Sequence, residues 1–164
     1  MMARRLNPVS VRVLSGCGGR VTSVELRRVA RAVMTGEAVA IDVAVEVVLA
    51  DAETVRQLNR LYRGRDEPTD VLSFASSESE VAFPVSPDEV ASLGEVVVCS
   101  TVAEAQAEES GRPVAPEIAH LVVHGLLHIL GYDHEEPFDA ARMKAREDEV
   151  LQGLGYAGQY AHGH

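Results

Sequence analysis

Hydrophobic and polar positions recur along this chain with two different periods, which separate strands from helices. From Val9 to Leu14 they come close to strict alternation, the period of a strand with one buried face. Further on, Thr22-Ser-Val-Glu25 has the spacing of a capping box, which begins a helix. The apolar residues that follow recur at intervals of three and four, as one buried helix face does: Leu26, Val29, Ala30 and Val33. The sequence therefore predicts a strand and then a helix that ends at Gly36.

The same signals divide the rest of the chain into further elements. Strands are predicted at 39–50, 71–74 and 95–99. Helices are predicted from a cap at Asp51 to about Tyr62, from Ser100 or Thr101 to Ser110, from Pro116 to Leu130, and from Pro137 to near Gly153. Residues 63–70 form a polar loop, and residues 75–92, which contain serines, acids and two prolines, form a longer one.

About four strands and about five helices predict an α+β fold, with a small mixed sheet packed by helices. The chain has 164 residues, of which 46% are hydrophobic, enough for the core of one domain. We expect residues 1–164 to form a single domain, with its core at about 9–156 and a flexible tail at 157–164. The helix from Pro116 is the most apolar, so it is expected to lie centrally.

Composition and the cysteine pattern indicate the cellular compartment of the protein. No apolar run is long enough to span a bilayer, and the first residues lack the apolar segment of a signal peptide. Cys17 and Cys99 are far apart and have the spacing of neither a disulfide framework nor a second metal site. We therefore expect a cytoplasmic protein with two free thiols and no membrane partner.

Four of the six histidines lie within fifteen residues: His120, His124, His128 and His134. Residues four apart lie on one helix face, about 6 Å apart along the axis, so a neighbouring pair can share a metal ion. His120 and His128 are about 12 Å apart axially and cannot bind the same ion. Gly131 favours the pair His124 and His128, because glycine readily adopts the left-handed conformation that ends helices. The chain can then turn back and offer His134 as a third ligand.

The spacing His-x3-His-x2-Gly-x2-His is that of the metzincin zinc site. Three imidazoles leave one position open on a tetrahedral zinc, as in catalytic sites. We therefore predict one Zn²⁺ ion, while noting that imidazoles also suit nickel and copper. Zinc peptidases carry a general-base Glu directly after the first histidine, where this chain has Gly125. The missing carboxylate argues against peptide hydrolysis.

Two neighbours of the predicted ligands have roles that the residues leave open. His120 can support a ligand, face the substrate or be only structural. Asp133 can orient a ligand imidazole, as carboxylates do around metals, or act only as a turn residue. For the whole set, the alternative to metal binding is a group of core histidines satisfied by hydrogen bonds, but the spacing and Gly131 favour a metal.

Three segments together resemble one family. They are Asn59-Arg-Leu-Tyr-Arg-Gly-Arg-Asp-Glu-Pro-Thr-Asp-Val-Leu-Ser-Phe74, Gly94-Glu-Val-Val-Val-Cys99 and His124-Gly-Leu-Leu-His-Ile-Leu-Gly-Tyr-Asp-His134. This pattern resembles the YbeY family of bacterial metal-dependent endoribonucleases over about residues 9–156. One departure is local, because the family usually has a proline after Leu-Ser-Phe and this chain has Ala75.

The resemblance implies an endoribonuclease that cuts single-stranded RNA, matures the 3′ end of 16S ribosomal RNA and acts in ribosome quality control. It implies that His124, His128 and His134 bind zinc and that Arg63 is the arginine important for activity. A guanidinium near the metal can stabilise charge that develops on a phosphate; the alternative is a cation favoured by the helix dipole. The implied partners are single-stranded RNA, ribosomal RNA or the small ribosomal subunit, and a ribosomal protein or an assembly GTPase.

The charge is divided unevenly along the chain. The net charge is −10, yet residues 1–65 hold 11 basic and 6 acidic residues, whereas residues 66–164 hold 4 and 19. All basic residues of the first segment are arginines, which suit bidentate phosphate contacts, although solvated helix faces explain them equally simply. Further candidates for RNA backbone contacts are Arg60, Arg65 and Arg112.

The reaction and the class of function remain open from sequence alone. Zinc either activates a water molecule or acts as a Lewis acid while the RNA 2′-hydroxyl attacks. No general base is obvious, and the candidates are Asp133, His120 and a zinc-bound hydroxide. Two rival functions are a non-catalytic ribosome-assembly factor that carries a bound zinc, and a zinc peptidase.

Overall fold

The computed structural model of the chain describes residues 6–76, 91–133 and 135–160. Its strands are β1 (Val9–Val13), β2 (Ala44–Ala50), β3 (Val71–Ala75) and β4 (Ser92–Cys99). Its helices are α1 (Ser23–Gly36), α2 (Ala52–Arg63), α3 (Ser100–Glu109), α4 (Val114–Ile129) and α5 (Pro137–Gly153). The predicted numbers of strands and helices are therefore confirmed within these ranges.

The four strands form one mixed sheet in the order β1-β2-β4-β3. β1 and β4 each pair with β2 in parallel, and β3 pairs with β4 antiparallel at one edge. The α+β prediction is confirmed. The parallel β1–β2 pair is joined by α1, since a parallel connection needs a crossover.

The sheet is covered on both faces, which accounts for the almost continuous apolar run of β2. Val47 and Leu49 join the larger core, which is formed with α1, α4 and α5. Val48 and Ala50 point to the opposite face and pack with Val55 of α2 in a smaller core. Because successive side chains of a strand alternate between faces, a strand covered on both sides has no polar side to show.

Helix α4 lies at the centre of the larger core, as its apolar sequence predicted. It contacts α1, α3, α5, β3 and β4. Residues 116–123 and 125–127 are all buried, so the helix is surrounded on nearly every side until its last turn. Packing on nearly every side fixes the position of the helix, and with it the position of any side chain that extends from it out of the core.

Two predicted helix caps are confirmed, and a third is wrong. The Thr22 hydroxyl accepts a hydrogen bond from the Glu25 amide at 3.1 Å, and the Asp51 carboxylate accepts one from the Thr54 amide at 2.8 Å. Helix α3, however, has Cys99 at its cap position and no side-chain cap. Its Ser100 hydroxyl donates to the Ala50 carbonyl instead, which ties α3 to the end of β2.

The second predicted strand is too long in the sequence analysis. The apolar run begins at Val39, but β2 begins only at Ala44. The Asn7 side-chain amide donates to the carbonyls of Ala40 and Val43, at 2.7 and 3.0 Å, and Val43 also donates to Ala40 across a turn. These bonds hold residues 40–43 in a turn, where the carbonyls are satisfied without a ladder partner.

Two further expectations need correction near the ends of segments. The predicted 75–92 loop is too long at both ends, because Ala75 belongs to β3 and Ser92 to β4; residues 77–90 lie outside the described part.

The sequence predicts a flexible tail from residue 157, but Tyr160 is only 2% exposed. Its carbonyl accepts from the Arg112 guanidinium, and its hydroxyl donates to Asp148 at 2.5 Å. Residues 161–164 lie outside the described part.

In the part of the chain that the structure describes, no helix combines the length and the apolar character that crossing a bilayer requires.

Helix α4 approaches the sheet closely at Gly125. A Cβ atom there would lie 2.8 Å from Val96 Cγ1 and 2.9 Å from Ser73 Oγ. Ser73 and Val96 are direct partners across the β3–β4 ladder, and the Ser73 hydroxyl donates to the Gly125 carbonyl at 3.1 Å. The helix therefore rests on this strand pair with its backbone, and there is no room for a side chain.

We predict that Gly125→Ala destabilises the protein although alanine is the better helix former. Crowding against Val96 and Ser73 costs roughly 1–3 kcal/mol, which exceeds the gain of up to about 1 kcal/mol in helix propensity. Gly153→Ala is the matched control, since its Cβ would meet nothing within 4 Å. Urea unfolding should show a loss for the first variant and no loss for the second. Equal behaviour of the two variants would contradict the close packing.

Candidate active site

A cavity of about 170 Å³ opens where the last turn of α4 leaves the sheet. Its lining residues come from α2, β3 and α4: Arg63, Val71, Leu72, Ser73, His124 and His128. The structure thus brings two of the predicted zinc ligands and the predicted arginine to one cavity. These residues are far apart in the chain, and the seating of α4 on β3 at Gly125 brings them together.

The histidines of α4 pass from the core to the surface along the helix. His120 is buried at 4% exposure, His124 is half-buried and His128 is exposed. His124 and His128 line the cavity, whereas His120 lies one turn deeper and does not. The pair chosen from the position of Gly131 is the pair that reaches the cavity.

The end of α4 follows the predicted course. The helix ends at Ile129, and Gly131 has a φ of 103°, in the region that favours glycine. The Tyr132 amide bonds to the Leu127 carbonyl at 3.0 Å across this reversal. His134, the predicted third ligand, lies outside the described residues, so the turn is observed and its histidine is not.

The described histidines suit a metal in their chemistry. His124 Nδ1 lies 3.2 Å from the carboxylate of Glu147, and His128 lines the same cavity as His124, four residues later on the helix. Two imidazoles one helical turn apart are a usual part of zinc sites. Among the described residues, however, no group of three or more His, Cys, Asp or Glu side chains is placed to hold an ion. The predicted set of three ligands includes His134, which is not among these residues.

Arg63 is the last residue of α2 and is exposed at the rim of the cavity. Its guanidinium donates to the Ser73 carbonyl at 2.7 Å and lies 5.3 Å from the centre of the Phe74 ring. The Phe74 ring also meets the exposed Tyr62 edge-on, at 5.2 Å. The hydrogen bond and the cation–π contact hold the guanidinium beside the two histidines, where it can bind a phosphate.

A buried carboxylate behind the histidines was missed by the sequence analysis. Glu147 of α5 is 7% exposed, and its Oε2 lies 3.0 Å from His120 Nε2 and 3.2 Å from His124 Nδ1. Burial alone would raise the pKa of Glu147, but the hydrogen bonds from both imidazoles outweigh it and lower this pKa to about 2. A signal was present in the sequence, because Glu147 occupies the buried stripe of α5 with Met143, Val150 and Leu151.

The remaining candidates lie away from the cavity lining. Asp133 accepts a hydrogen bond from the Glu135 amide at 3.1 Å, a turn contact. Arg60 is exposed on α2. Arg65 lies in the loop after α2, and its guanidinium is 4.0 Å from the carboxylate of Glu67. Arg112 holds the carbonyl of Tyr160, a structural contact with the C-terminal segment. Their suggested roles in ligand orientation and RNA contact stay predictions.

Comparison with known proteins gives a consistent result. A family model described as "Endoribonuclease YbeY" matches residues 20–155. A protein of that description from Roseiflexus sp. (strain RS-1) is 41% identical over 148 residues, covering 90% of this chain and 92% of its own. Another, from Paramagnetospirillum magneticum, is 47% identical over 118 residues, covering 72% of this chain and 71% of its own.

A solved structure is also similar to the model. It is the solution structure of TM1509 from Thermotoga maritima, with 26% sequence identity and a TM-score of 0.56. The match covers 90% of this chain and 91% of the other. The likeness therefore extends over nearly the whole fold.

We predict that Glu147 makes the metal-free protein acid-sensitive. A carboxylate whose pKa is lowered by folding contributes stability above its unfolded pKa, about 4.5, and loses it as pH falls towards 2. The full contribution is on the order of 3 kcal/mol. Urea unfolding between about pH 5 and pH 3 should show a shallower loss for Glu147→Gln than for the wild type. Glu149→Gln, on the exposed side of α5, should behave like the wild type; an unchanged slope for Glu147→Gln would contradict this account.

Proposed function

The chain belongs to the Endoribonuclease YbeY family, and we propose that it is a zinc-dependent endoribonuclease that cuts single-stranded RNA. The observation that carries this proposal is the cavity shared by Arg63, His124 and His128. It combines a phosphate-binding guanidinium with imidazoles that suit a metal. Both kinds of group assist phosphodiester cleavage when they lie close together, since each stabilises negative charge on the phosphate.

His124 and His128, with His134 from the turn that follows, are the residues that would hold the ion. When bound, zinc supplies Lewis-acid chemistry at the scissile phosphate. The buried helix α4 presents His124 and His128 from a fixed support. A rigid support matters because ligand geometry sets both affinity and reactivity at a metal centre.

Arg63 would bind the phosphate and neutralise the charge that grows on its non-bridging oxygens. Its guanidinium is already held by the Ser73 carbonyl and the Phe74 ring, so little rotamer entropy is lost when a substrate binds. Preorganised charge of this kind contributes more to the transition state than a mobile side chain does. Because the protein carries a net charge of −10, this local positive site also selects where RNA can approach.

Peptide hydrolysis is disfavoured by the packing at Gly125. A zinc peptidase needs a carboxylate at this position, but a side chain there would collide with Val96 and Ser73. The face that would carry the general base is thus buried against the sheet. RNA, unlike a peptide, carries its own potential nucleophile, the 2′-hydroxyl, next to the scissile bond.

The biological setting that we propose is ribosomal RNA processing, with 16S 3′-end maturation and ribosome quality control as the tasks. Single-stranded ribosomal RNA or the small ribosomal subunit would be the substrate, a ribosomal protein or an assembly GTPase would be a partner, and the cytoplasm would be the location. The support is family membership, because the fold and cavity do not by themselves select one RNA.

We predict that metal-loaded protein cuts a labelled single-stranded RNA and leaves a duplex of the same sequence intact. Chelator treatment and His128→Ala should each abolish cleavage, because each removes the metal from the cavity. Added Zn²⁺ should restore the chelated wild type but not the variant. RNA that is bound but remains intact under these conditions would favour the non-catalytic assembly factor.

We predict that Arg63→Ala lowers kcat roughly 10²–10³-fold, the usual cost of losing one preorganised group that stabilises transition-state charge. Arg63→Lys should recover only part of this, because an ammonium keeps the charge and loses the two-pronged geometry. Arg56→Ala is the control on the same helix, since Arg56 pairs with Glu53 and Asp66 instead. Single-turnover cleavage measures all three variants, and equal rates for Arg63→Ala and Arg56→Ala would refute the role of Arg63.

A further inference from the structure

We propose that Glu147 is a positioning residue that fixes the tautomer of His124 and turns its Nε2 towards the metal. The inference rests on the proposed metal site and adds a residue from outside the histidine segment. It follows from one oxygen atom that contacts two imidazoles, from the burial of that contact, and from the ring nitrogen of each histidine that the contact engages.

The geometry of the shared oxygen determines where the ring hydrogens lie. Glu147 Oε2 is within hydrogen-bond distance of both His120 Nε2 and His124 Nδ1. A carboxylate oxygen only accepts, so each of these two nitrogens must carry a hydrogen. In neutral imidazole the other nitrogen then carries the lone pair and no hydrogen. For His124 that nitrogen is Nε2.

The same contact separates the roles of the two histidines. His124 is half-buried and lines the cavity, so Nε2 is the nitrogen through which this histidine would bind a metal there. His120 uses Nε2 for its hydrogen bond to Glu147, and its ring packs against Tyr160 with the ring centres 5.1 Å apart. His120 is therefore assigned to hold the carboxylate in place, which resolves the three roles that its sequence position left open.

Tyr160 covers the contact between His120 and Glu147 on the side of the C-terminal segment. It is 2% exposed, and its hydroxyl donates to Asp148, the residue after Glu147 on α5. The Arg112 guanidinium holds its carbonyl. The C-terminal segment thus shields the His120–Glu147 pair from water, and a hydrogen bond is stronger where the surroundings are less polar.

The plain alternative is that Glu147 only ties α5 to α4. A structural tie predicts that removing the carboxylate lowers stability and leaves metal affinity unchanged. A positioning role predicts a loss of affinity as well, because carboxylates that hold a ligand histidine typically contribute 10–100-fold. Metal affinity is therefore the measurement that separates the two accounts.

The first test measures Co²⁺ and Zn²⁺ dissociation constants by chelator competition, with folding verified by circular dichroism. Glu147→Gln keeps the shape but offers a weaker, neutral acceptor, so we expect affinity to fall about tenfold. Glu147→Leu offers no acceptor, and the loss should approach 100-fold. Glu149→Gln is the matched control from the same helix and should bind like the wild type. Unchanged affinity in folded Glu147→Gln and Glu147→Leu would overturn the proposal.

The second test needs no metal and no activity. Imidazole ¹⁵N NMR of the metal-free wild type, at about pH 8 where ordinary histidines are neutral, reports which nitrogen carries the hydrogen. We expect Nδ1–H for His124 and Nε2–H for His120, and Nε2–H on His124 would overturn the proposal. If the expected tautomers are found and the wild type binds no metal, the tautomer assignment stands and the zinc site of the proposed function fails. Intact RNA with a bound metal would likewise count against the nuclease alone.

Discussion

The contact on which the rest of this structure depends is the seating of α4 on β3 and β4 at Gly125. The helix backbone approaches Ser73 and Val96 so closely that a single methyl group would not fit. Because β3 is also the strand against which Arg63 is held, this approach sets the distance between the arginine and the two histidines. A larger residue at 125 would lift the helix off the sheet and open the cavity, so packing and site geometry share one constraint.

A second constraint comes from the opposite side of α4. The histidines of this helix run from a buried position to an exposed end, and the Glu147 carboxylate accepts hydrogen bonds from His120 and His124. A carboxylate buried among apolar side chains would be costly without such partners. Here two imidazoles share one oxygen, and the C-terminal segment seals the group with Tyr160. The helix that carries the histidines is thus held on the sheet side by close packing and on the α5 side by hydrogen bonds to a carboxylate.

Much of this arrangement could be predicted from the sequence, for physical reasons that particular residues illustrate. Local rules sufficed for the caps at Thr22 and Asp51 and for the helix end at Gly131, since their partners lie within a few residues. They failed for 40–43, where Asn7, more than thirty residues away, captures the carbonyls of an apolar run that looked like strand. Glu147 was missed for the same reason, because its partners lie on another helix. Long-range polar contacts leave no short-range pattern beyond a charged residue on an apolar stripe.

The glycine at 125 also links the fold to the kind of reaction that the cavity supports. In a zinc peptidase the residue after the first ligand supplies the proton acceptor, and the ligand helix must expose it. Here that residue faces β3 and β4, and the nearby carboxylate, Glu147, is committed to two imidazoles behind the cavity. The described lining instead offers imidazole, guanidinium and a serine hydroxyl that bonds to the helix backbone. Such a lining favours an anionic substrate that carries its own potential nucleophile, as RNA does in its 2′-hydroxyl and a peptide does not.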